Sequence, residues 1–167
     1  MMRRWLESWR AGRRARAAAD LQTWLDSSRA VLALCHEPLR STEGISDIGV
    51  VLDRIDRSLL RYRNEAAAVR AAMRPRPALA AEAHQATDGL FALRNETCAF
   101  LLRWQSLRQI PGSSVASIEV QRNMEEARLQ ASRSARSLTA KLDKLGPEVA
   151  RLISYWSRPN AEGPNLI

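Results

Sequence analysis

The side chains able to do chemistry are few and scattered. His84 and Asp88 stand four residues apart, a spacing that puts both on one helical face and lets them reach a common metal ion. Zinc needs further ligands, and the only other histidine is His36. A carboxylate-bridged di-iron bundle needs paired Glu-x-x-His motifs, and the sequence has none. Cys35 and Cys98 are isolated beside apolar runs, matching neither a zinc knuckle nor a CxxC pair. They read as small buried hydrophobes of a reduced, cytoplasmic chain. No serine–histidine–acid grouping, glycine-rich phosphate loop or acidic metal cluster is present. No metal, no cofactor and no enzymatic activity are expected.

One pair keeps a catalytic alternative open. Arg29 and His36 lie seven positions apart, two helical turns, so their side chains share a face. Arginine, six residues, then histidine is similar to the loose pattern of the HEPN ribonucleases. That resemblance implies a dimeric helical bundle in which arginine and histidine meet a phosphodiester. The likeness covers two residues, it falls in the first helix rather than late in the chain, and Ala30 replaces the polar residue that often follows the arginine. Another charged group, Asp53, Arg54, Asp56, Arg57 and Arg61, is mixed in sign and reads as a solvated face.

The start of the chain stands apart. The 167 residues carry a net charge of +8, and 24 of the 26 basic residues are arginine. Residues 1–19 hold six arginines and one acid, or +5, which leaves +3 for the rest. On a helical wheel Met2, Trp5, Leu6 and Trp9 fall within about 100° of one another. Arg3, Arg10 and Arg14 fall together on an adjoining face. Tryptophans beside guanidinium groups suit a protein interface at Trp5, Leu6 and Trp9. They also suit RNA or DNA held by Arg3, Arg10, Arg13 and Arg14, or, less favoured, an anionic membrane surface. The structural alternative is that Trp5 and Trp9 only extend the first helix's core stripe.

The elements that carry these residues are helices. Breaks fall at Pro38 to Gly44, Arg74 to Pro77, Pro111 to Ser114, and Gly146-Pro147. Ser113 or Ser114 suits a helix cap, Pro77 and Pro147 suit first turns, and Gly146 suits a left-handed C-terminal cap. Between the breaks apolar residues recur at alternating spacings of three and four, as in Ile48, Leu52, Ile55, Leu59, Tyr62, Ala66, Val69 and Met73. The third segment repeats this from Leu79 to Leu107, the first from Ala17 to Cys35, and the fourth from Ala131 to Leu145. That period makes a single helical stripe, and no segment alternates as a strand would.

The expected fold is an all-α antiparallel up-down bundle of four helices of ~30 residues. A short fifth helix follows over Glu148 to Trp156. Residues 1–156 form one domain, and 157–167 read as a flexible tail. No apolar run approaches the ~20 residues of a membrane span. The expected function is that of a non-enzymatic adaptor or accessory subunit, meeting another protein or a second copy of itself.

Overall fold

A computed structural model describes residues 2–73, 76–110 and 115–158. All regular structure among them is helical: α1 (Met2–Arg40), α2 (Ile48–Ala72), α3 (Pro77–Gln109) and α4 (Val115–Trp156). The three-and-four stripes become the core. Ala17, Leu21, Trp24, Ser28, Val31 and Cys35 of α1 are buried together with Ile55, Leu59, Tyr62 and Val69 of α2. Leu90, Leu93 and Phe100 of α3 meet them with Leu138, Leu142 and Leu145 of α4.

Side-chain pairs fix how neighbours run. Trp24 bonds Tyr62, and Glu37 faces Arg54, so numbers fall on α2 as they rise on α1. Tyr62 meets Thr87 and Asp56 meets Arg94, reversing α3 against α2 in the same way. Glu82 to Lys144 and Glu96 to Gln130 do so for α3 and α4. Small residues let α3 and α4 approach closely: Ala83, Ala86, Ala131 and Ala135 are buried. A Cβ on Gly89 would sit 2.5 Å from Leu138 Cδ2.

The separate fifth helix does not form. Residues 148–156 are the last turns of α4, which passes through Gly146 and Pro147 without a break. Pro147 has no N–H to give the Asp143 carbonyl, so one helical bond is lost. Continuing the helix keeps Leu142, Leu145, Val149, Leu152 and Trp156 on one buried stripe, and that packing outweighs the missing bond. Gly146 is not a left-handed cap. It marks a close approach of α1, where a Cβ would lie 3.2 Å from Arg29 Nη2 and 4.0 Å from Leu25 Cδ2.

The first break also moves. α1 runs through Pro38 to Arg40, and the turn occupies 41–47. There Ser41 Oγ accepts the Glu43 N–H, Gly44 adopts φ +80°, and the Asp47 carboxylate caps α2 by accepting the Gly49 N–H at 2.7 Å. Pro77 opens α3 as the sequence implies. Ser113, Ser114 and the tail from 159 onward lie outside the described residues. Among the described residues no helix is long and apolar enough to cross a membrane.

Candidate functional site

The described side chains at the start of α1 lie outside the core. Every residue from Leu6 to Gly12 is exposed, and Ala17 is the first described residue of α1 to be buried. A Cβ built on Gly12 would meet nothing within 4 Å. At ~1.5 Å per residue, Met2 to Arg16 make an arm ~22 Å long. Trp9 is 48% exposed and Leu6 36%, so Trp9 does not extend the core stripe. Arg13 lies over the Trp9 ring, its Cζ 4.4 Å from the centroid. This (i, i+4) cation–π contact stiffens the indole in place while leaving much of it open. Arg10 is exposed and Arg14 half-buried. The side chains of Arg3 and Trp5 lie outside the described residues, on a stretch whose backbone is helical.

A second feature sits at the other end of α1. A cleft of about 270 Å³ opens where α1, the 41–47 turn and α2 meet. Leu34, Pro38, Ile45, Val50, Val51 and Ile55 give it apolar walls. Glu37, Glu43 and Asp47 rim it, with Arg54 the single base among the lining residues, 3.9 Å from Glu37. Val50 is 64% exposed at the mouth of the cleft. Arg108 of α3 donates to the Ile45 carbonyl at 3.4 Å and ties the turn to the bundle. Nothing in the sequence signals this cleft, because Pro38 reads there as a helix end, whereas in the fold it is a wall within α1.

The polar groups of the core are structural. Trp24 Nε1 donates to the Tyr62 hydroxyl at 3.0 Å, and that hydroxyl lies 2.9 Å from Thr87 Oγ1. Thr87 in turn donates to the Ala83 carbonyl at 3.0 Å. An indole N–H can only donate, and Thr87 has one hydrogen, so the phenol must donate to Thr87. The result is a directed chain across three helices. Burial raises the Tyr62 pKa, opposed by its polar contacts with Ser28, Thr87 and Trp24. Burial likewise pushes the Cys35 thiol up to about 12, with Arg94 opposing and Asp56 adding to the rise. A thiol held protonated in this way is a poor nucleophile.

The remaining candidates stay apart. Arg29 is exposed and rests on α4 beside Gly146, while His36 is half-buried two turns along α1. Neither is hydrogen-bonded to the other, and no third group orients the imidazole among the described residues. His84 Nε2 lies 3.6 Å from Asp88 Oδ2, with side chains 60% and 66% exposed. Among the described residues no three histidine, cysteine or acidic side chains could hold a metal ion together. The Asp53 cluster is partly structural: Asp53 pairs with Arg57 on α2, but Asp56 takes a two-pronged bond from Arg94 of α3, at 2.7 and 2.6 Å. Comparison with protein-family models, with curated proteins and with solved structures gives no match for this chain.

Proposed function

We propose that this chain is a non-enzymatic adaptor or accessory subunit: an up-down four-helix bundle whose α1 arm docks on another protein. One observation carries the reading. A helical arm rich in arginine presents Leu6 and a stiffened, half-exposed Trp9 on a stretch, residues 6–12, that is exposed throughout. Tryptophan and arginine are the side chains over-represented at energetic centres of protein interfaces. Consecutive helices that reverse direction support the up-down arrangement, since short connections favour it.

The test compares two variant sets in binding assays with candidate partners and with labelled RNA. Leu6→Asp with Trp9→Asp should abolish protein binding at every salt concentration. Arg10→Gln, Arg13→Gln and Arg14→Gln together should only weaken it. RNA binding that is lost with the arginines, and whose salt dependence flattens by about one log–log unit per phosphate contact removed, would replace the adaptor with a nucleic-acid-binding accessory protein. RNA cleavage that disappears with His36→Ala would favour the ribonuclease reading instead.

A further inference from the structure

We infer that the partner of the arm is a second copy of this chain, whose cleft between α1, the 41–47 turn and α2 receives Leu6 and Trp9. The inference rests on the arm's being a docking element and adds the surface on which it docks.

Three observations carry it. The first is charge. Residues 6–16 hold Arg10, Arg13, Arg14 and Arg16 against Glu7, whereas the cleft holds Glu37, Glu43 and Asp47 against Arg54. The two surfaces are opposite in sign on a chain whose overall charge is +8. The rest of the surface is mixed in sign, and an acidic rim beside an apolar pocket is a place where a basic arm can settle. The second is size. About 270 Å³ lies just below the range of small-molecule and cofactor sites and suits one bulky side-chain anchor, with Leu34, Pro38 and Val51 to pack on its faces. The third is distance. Residues 9 and 38 lie on one continuous helix and stand ~43 Å apart, so a chain cannot fill its own cleft.

Docking of a start on a distant end is head-to-tail. Each contact leaves the pair with one free arm and one free cleft, which either close reciprocally into an antiparallel two-fold dimer or take up further copies into rings or chains. The charged rim sets the orientation and the rate of approach, and the indole in the cleft sets how long the contact lasts.

The experiment is complementation, read by sedimentation velocity from 10 µM to 1 mM protein. One variant lacks the donor (Leu6→Asp with Trp9→Asp). The other lacks the acceptor (Glu43→Arg with Val50→Arg, both exposed positions that leave the Asp47 cap alone). Circular dichroism first establishes that both fold. The parent should form dimers or larger species that build up with concentration and dissociate as salt rises. Each variant alone should stay monomeric. An equimolar mixture should stop at a 1:1 dimer, because the acceptor variant still has an arm and the donor variant still has a cleft. A parent that is monomeric at 1 mM overturns the self-docking inference and leaves the adaptor reading to its own partner test. An acceptor variant that still associates while the donor variant does not overturns the cleft but keeps the arm. Association of the donor variant as strong as that of the parent overturns both.

Discussion

At the scale of single residues, the chain from Trp24 through Tyr62 and Thr87 to the Ala83 carbonyl is the most demanding arrangement in the core. Its members are satisfied only together. Tyr62→Phe removes the link and leaves the Trp24 N–H buried without an acceptor, which costs about 1–3 kcal/mol. Urea unfolding should show that loss as a lower midpoint at unchanged slope, and an unchanged midpoint would mean that the phenol contributes nothing. Alkaline pH tests the same region. Cys35 and Tyr62 both have folded pKa values raised above their unfolded ones. The unfolded chain therefore releases these protons first, so the stability they contribute is intact at neutral pH. It drains away as pH climbs from about 9, where free thiols ionise, toward about 12. Cys35→Ala should flatten the decline of thermal stability between pH 9 and 11, and an equally steep decline would contradict the assignment.

At the scale of elements, the stripes were legible because helical packing needs nothing beyond side-chain spacing. Leu59, Leu90 and Leu142 could be placed in the core from the sequence, and all are buried. Helix ends were less legible, because a proline or glycine weakens a helix locally while tertiary packing decides whether it stops. Pro38 and Pro147 both sit inside helices. In the site, Leu6 and Trp9 could be picked out by their wheel positions, but whether that face was core or free depended on where the other helices end. The cleft was invisible, since it joins residues of two helices and a turn. Pro147→Ala supplies the missing N–H within a continuous helix and should raise stability by up to ~3 kcal/mol. No gain would indicate that α4 breaks there after all. Gly12 lies in an open part of α1, so Gly12→Ala should increase helical ellipticity at 222 nm without shifting the cooperative melt. A shift of that melt would show that the arm folds as part of the bundle.

At the scale of the whole molecule, one packed core is held by four helices, and part of one helix does not belong to it. Leu90 is fully buried, and Leu90→Asp puts an unpaired carboxylate there, at a cost of several kcal/mol against a total stability of ~5–15 kcal/mol. That variant should lose its cooperative transition. The uneven charge, +5 of the +8 within the first 19 residues, means that the arm approaches acidic surfaces readily while the rest of the surface stays mixed in sign. Leu6 and Trp9 are exposed on the arm, so their apolar surface is available to a partner outside the bundle.

The measurement that bears most directly on this account is the thermal melt of the Leu6→Ala, Trp9→Ala double variant at micromolar protein. A tryptophan in the core costs about 3–5 kcal/mol when truncated to alanine, and in a chain of 167 residues each kcal/mol lowers the midpoint by about 2–4 °C. If the arm is a free docking element, the midpoint should stay within about 2 °C of the parent. A fall of ~6 °C or more would place Leu6 and Trp9 in the bundle's own core, and the docking arm would not exist.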